Sequence, residues 1–224
     1  MFLWLCALCL WSPLPAAAQA DEWQPLWNGQ DLAGWRVVGG RAEVWRVDGD
    51  VLVANGSGGG WLMTEQTYSD FVLELEFKIP EMGNSGVAIR APTRGNPAFD
   101  GMEIQILDDR NYLDETKYKG LKPTQRTGAI YDVVPPSADA TRPAGEWNTM
   151  RITAQGPKVK VELNGTTIVN ANLDEHLYRA EKGPENPGEA HPGLGRSRGH
   201  IGLQSHDGRI EFRKVRIKKL AGEP

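Results

Sequence analysis

The chain has 224 residues, with 25 Lys and Arg against 29 Asp and Glu for a net charge of −4 at pH 7, and 2 cysteines. This acidic balance argues against a nucleic-acid binder, and no stretch is long and apolar enough for a membrane-spanning helix. Both cysteines, Cys6 and Cys9, fall in the opening apolar run, so the rest of the chain is expected to carry neither disulfide nor thiol chemistry.

Residues 1–20, MFLWLCALCLWSPLPAAAQA, contain no charged side chain and end in Ala18-Gln19-Ala20, the small-x-small pattern of a signal-peptidase site. The sequence therefore predicts a leader over 1–20, a mature chain beginning near Asp21, and an exported, periplasmic or extracellular protein. Residues 21–224 suit a single β domain.

From Val44 onward, turn signals separate alternating apolar and polar residues. VWRVDGDVLVA sets Asp48-Gly49 between two such segments, and VKVELNGTTIV sets Asn164-Gly165 likewise. Both pairs predict type I′ hairpins, because these residues tolerate positive φ. Further strands are predicted over 71–79, 85–90, 101–107, 146–154, 200–206 and 209–220, an all-β, antiparallel sandwich inventory. The basic run RKVRIKK (213–219) alternates with Val215 and Ile217 and reads as a solvated strand face. Two long interruptions, 108–145 and 178–199, read as binding loops or lids.

Successive side chains of a strand point to opposite faces. In GMEIQIL, Met102, Ile104 and Ile106 oppose Glu103, Gln105 and Leu107. In SGVAIR, Val87 and Ile89 oppose Ala88 and Arg90, and in HIGLQSH, Ile201 and Leu203 oppose His200, Gly202, Gln204 and His206. If these strands are neighbours, Arg90, Glu103, Gln105, Gln204 and His206 share one polar face. A carboxylate, an imidazole and a guanidinium on one rigid surface are the parts for acid/base work on a charged intermediate. Asp108 and Asp109 read equally as site residues or as turn residues closing the strand. Asn84 and Ser85 read as turn formers with a hydrogen-bonding role.

The segments LWNGQDLAGW, GNSGVAIRAP, FDGMEIQILDD, KPTQRTGAIYDVVPP, GEWNTMRI, LNGTTIVNANLDE, HPGLGRSRGHIGLQSH and IEFRKVRIKKL, running from about Leu26 to Leu220, resemble the 3-keto-disaccharide hydrolase domain family. The resemblance implies a concanavalin A-like jelly roll of two curved antiparallel sheets with a sugar site on the concave face. It implies an enzyme acting on an oxidised, 3-keto sugar. Cleavage would run by loss of the C2 proton, elimination of the C1 substituent and hydration. In this scheme Glu103 or His206 is the base and the other the proton donor, and Arg90 stabilises the enolate. Gln105, Asp108, Asp109, Asn84, Ser85, Gln204 and Tyr131 bind substrate. A divalent metal held by Glu103 and His206 is the alternative electrophile. The same fold houses glycosidases with a Glu-x-Asp-x-Glu strand, and a bulge at Leu107 would bring Asp108 onto the groove. Gln105 in place of the middle acid argues against that chemistry. A non-catalytic, lectin-like module is the remaining alternative.

Overall fold

The computed structural model describes residues 22–56, 58, 60–114, 120–180 and 191–220. The expected leader lies outside them. Five short strands come first: β1 (Gln24–Pro25), β2 (Trp35–Val38), β3 (Trp45–Asp48), β4 (Val51–Asn55) and β5 (Trp61–Thr64). Then follow β6 (Phe71–Lys78), β7 (Asn84–Ala91), the one-turn helix α1 (Pro97–Asp100), β8 (Met102–Leu107) and α2 (Asp109–Asp114). The chain continues with β9 (Asn148–Gln155), β10 (Lys158–Leu163), β11 (Thr166–Asn172), α3 (Leu173–Ala180), β12 (His200–Gln204) and β13 (Arg209–Lys219).

These strands form two antiparallel sheets. One runs β11-β10-β9-β6-β13-β4-β3 with β1 added on β13, and the other runs β2-β5-β12-β7-β8. Alternation positions the core between them. Phe71, Leu73, Leu75 and Phe77 of β6 face Val87, Ile89, Met102, Ile104, Ile106, Ile201 and Leu203 of the smaller sheet, all buried. Each fully buried side chain of this size stabilises the sandwich by about 1.5–3 kcal/mol. No helix among the described residues is long and apolar enough to cross a membrane.

The two hairpin signals resolve differently. At β10–β11 both loop residues, Asn164 and Gly165, have positive φ (50° and 84°), as a type I′ turn requires. At β3–β4 the pairing Asp48↔Val51 makes Gly49 and Asp50 the loop, and only Gly49 is positive (63°), the pattern of a type II′ turn. The basic run sits on the outer face of the larger sheet, as its alternation predicts. Arg216 and Arg151 clamp Glu74 there, while Arg213 and Lys214 clamp Glu76.

Candidate functional site

The outer face of the smaller sheet carries the polar cluster. β7 lies between β12 and β8, with Ala88 opposite both Gly202 and Glu103, and Gly86 opposite Gln105. Met63 of β5 pairs with Gly202 and Trp61 with Gln204, so the floor runs from indole and thioether to carboxyl and amide. β8 is the last strand of this sheet, but its free edge is covered. Gly128 donates to the Gln105 carbonyl (2.8 Å), Gln105 donates to the Ala129 carbonyl (3.0 Å), and Tyr131 donates to the Glu103 carbonyl (2.9 Å). Part of the long interruption 108–145 thus runs along β8 and brings Tyr131 beside Glu103.

Glu103 is 4% exposed, and its Oε1 has no hydrogen-bond partner. Desolvation alone pushes its carboxyl up from 4.5 to about 8. The side chain lies flat over Gly86, where an added Cβ would stand 1.9 Å from Oε1 and 2.7 Å from the carboxyl carbon. Gly86→Ala is expected to push the carboxyl toward solvent and lower its titration midpoint from about 8 toward 4.5. The infrared band of the protonated carboxyl, followed against pH, reads this directly; an unchanged midpoint would refute the contact.

His206 arrives by a backbone device. Asn84 and Asp207 exchange both N–H···O bonds at 3.0 Å, which pins the segment after β12 to the start of β7. Gln105 Nε2 donates to Asn84 Oδ1 (3.4 Å), and Asn84 Nδ2 lies 3.4 Å from His206 Nδ1. The shorter contact from that nitrogen, 2.7 Å to Asp207 Oδ2, assigns the proton to Nδ1 and leaves Nε2 as the acceptor. Tyr131 accepts from Gln125 Nε2 (3.4 Å). Burial, then the nearby charges of Asp132 and Glu103, raise its pKa, so the phenol stays protonated as a donor.

Several expected site residues lie elsewhere. Arg90 does not face the groove: between Ala88 and Ala91 the pairing with β12 takes in one extra residue, and Arg90 adopts φ +49°. That bulge turns its side chain toward one end of the other sheet, where it donates to the carbonyls of Ser69 (2.9 Å), Gly156 (2.7 Å) and Arg196 (3.4 Å) and pairs with Asp70 at 3.1 Å. At 1% exposure it clips the two sheets together. Leu107 pairs with Asn84 in unbroken register, so no bulge turns Asp108 into the groove. Asp108 instead accepts from the Met82 amide (2.9 Å) and from Asn111 Nδ2 (2.5 Å). Asp109 accepts from the Thr127 backbone N–H (3.0 Å), and its carboxyl is pushed up to about 6, chiefly by burial. Ser85 is fully buried and donates to the Gln204 carbonyl (2.8 Å). Asn84, Gln105, Gln204 and Tyr131 remain at the groove. No three His, Cys, Asp or Glu side chains come together as a metal cluster among the described residues.

The structure adds a residue that alternation could not supply. His191, in the loop before β12, is 1% exposed and lies against Phe99 of α1, ring centroids 4.8 Å apart. Phe99 in turn meets Tyr131 edge-on at 6.0 Å. Position 191 falls in the interruption 178–199, whose length was the available signal. A cavity of about 740 Å³ lies on the other sheet, lined in part by Trp23, Glu74, Lys214 and Arg216. Two of the acids that line it, Glu74 and Glu76, are clamped by cations.

A 3-keto-disaccharide hydrolase of Bacteroides thetaiotaomicron is 25% identical over 92% of this chain and 81% of its own. A Parabacteroides distasonis crystal structure, described as a proposed glycosyl hydrolase, superposes with a TM-score of 0.77 at 29% identity, covering 93% of this chain and 98% of that one. A Bacillus subtilis protein with a galectin-like fold reaches a TM-score of 0.55 at 15% identity, over 88% and 94% of the two chains, a likeness of fold alone. Residues 22–218 match the 3-keto-alpha-glucoside-1,2-lyase-like domain. With a match of that extent over a sandwich of this kind, the chain belongs to the 3-keto-alpha-glucoside-1,2-lyase-like domain family.

Proposed function

We propose that the protein is a carbohydrate-active enzyme that cleaves 3-keto-glycosides by elimination followed by hydration. The observation that carries this reading is Glu103, a buried carboxyl with a partnerless oxygen that holds its proton at neutral pH. A ketone at C3 makes the C2 proton acidic and leaves the C1 oxygen β to the carbanion. His206 Nε2, with Nδ1 held by Asp207, takes the C2 proton. The Tyr131 hydroxyl donates to the C3 oxygen as charge develops there, the role that the scheme implied by the family resemblance gave to Arg90. Glu103 gives its proton to the departing C1 oxygen, and the C1–O bond breaks with formation of the C1=C2 double bond. Water then adds its oxygen to C1 and a proton to C2, so the sum is hydrolysis.

One feature favours this chemistry over ordinary glycoside hydrolysis. Retaining hydrolysis needs two carboxylates about 5–5.5 Å apart. β7, β8 and β12 bring one to the face, since Gln105 is an amide and Asp108 points away. The uncharged apolar segment ending in Ala18-Gln19-Ala20 supports an exported enzyme.

The test is to offer a 3-keto-glucoside and its parent glucoside in parallel, in D₂O. The expected result is cleavage of the keto sugar alone, with deuterium at C2 of the product. Hydrolysis of the parent would restore the glycosidase reading, and sugar binding without turnover of either would leave a lectin.

A further inference from the structure

The loop that carries His191 is docked firmly beside the groove. Gly193 donates to the Phe99 carbonyl (3.0 Å), Leu194 donates to the His191 carbonyl (3.1 Å), and an added Cβ on Gly193 would stand 2.1 Å from the backbone of Asp100. This contact fixes the loop on α1, which opens directly into β8 and Glu103. Phe99 also packs against the cluster formed by Trp61, Met63, Ala88 and Ala91, whose first three members lie on the groove floor. His191 therefore stands behind Phe99 and Tyr131 in the wall nearest the Glu103 end of the groove.

Both ring nitrogens of His191 are buried, and neither makes a hydrogen bond of full geometry with the described residues. Burial lowers the pKa of the ring, against the Asp132 charge and a weak hydrogen-bond contact with the Ala98 backbone. A neutral imidazole has one N–H donor and one acceptor nitrogen. Leaving a buried polar group unmet costs about 1–3 kcal/mol, which a phenylalanine in the same stack would not incur. A hydroxyl is itself one donor and one acceptor, so a sugar hydroxyl meets whichever nitrogen it reaches, where an anion could meet only the N–H.

We propose that His191 is a substrate-contacting, specificity-determining residue whose ring hydrogen-bonds a hydroxyl of the bound sugar, the half-buried Phe99 ring yielding as the sugar enters. The inference rests on the groove being a sugar site, as proposed above. It does not rest on the order of proton transfers.

The test compares His191→Phe and His191→Gln with wild type, measuring thermal stability, calorimetric binding of the uncleaved parent disaccharide, and KM and kcat on its 3-keto form. For His191→Phe the expected result is a melting temperature equal to or above wild type, with Kd and KM raised about 3- to 10-fold, the worth of one neutral hydrogen bond. Turnover should change little, and His191→Gln should recover part of the affinity. Unchanged Kd and KM in a folded His191→Phe protein would overturn the proposal, and so would a lowered melting temperature with unchanged binding, the signature of a trapped structural water. Turnover of the keto sugar with either of those results would leave the elimination reading standing; absence of any sugar affinity in wild type would overturn both.

Discussion

Glu103→Gln is expected to lower kcat on a 3-keto-glucoside by about 10² to 10⁴, the usual contribution of a positioned proton carrier. The amide keeps the shape of the side chain over Gly86 but has no proton to give to the leaving oxygen. Because burial holds the wild-type carboxyl at about 8, kcat/KM should fall as pH rises through that value, and the limb should vanish from the residual activity of the variant. A rising limb at the same pH would make Glu103 the base instead of the acid, and activity within threefold of wild type would remove it from the mechanism. The fold should survive, and the pH dependence of stability should show why. The folded chain keeps this proton up to about 8 while the unfolded chain releases it near 4.5, so the stability tied to Glu103 is full below 4.5 and is lost as pH rises through about 8. Glu103→Gln has no such loss. Denaturant melts at pH 5 and pH 9 should show the variant gaining on wild type at the higher pH.

Arg90→Met is expected to destabilise the sandwich by about 3–5 kcal/mol, because it leaves Asp70 and a set of carbonyls without their buried cation. For a domain of this size that is a fall of roughly 6–20 °C in melting temperature. The desolvation that depresses the Arg90 pKa, opposed by Asp70, reports the same enclosure. Activity per folded molecule, measured well below the transition, should stay within a few-fold of wild type, because no atom of this side chain faces the groove. A stable variant with a collapsed kcat would return Arg90 to the site as an enolate stabiliser.

Alternation alone made the sandwich legible. Period-two patterning in β6, β7, β8 and β12 assigns their core faces, and burial of Val87, Ile104 and Leu203 against β6 follows directly from it. The same rule sets Glu103 and Gln105 on the opposite face, since side-chain direction along a regular strand is a local property of the backbone. That rule holds only while register holds. One extra residue in β7 sends Arg90 to the far sheet, and the local sequence AIRA carries no mark of it because the bulge answers partners at positions 69, 70, 156 and 196. Asp108 fails for a related reason: carboxylates are common both in sites and at strand ends, and the contacts with Met82 and Asn111 decide between them. His206 was readable as a candidate, but its orientation depends on the bridge between Asn84 and Asp207, residues far apart in the chain. The raised proton affinity of Glu103 and the unmet nitrogens of His191 could come only from tertiary structure, because desolvation is a property of what surrounds a group in space, and the loops that enclose these two carry no periodicity from which their paths could be read.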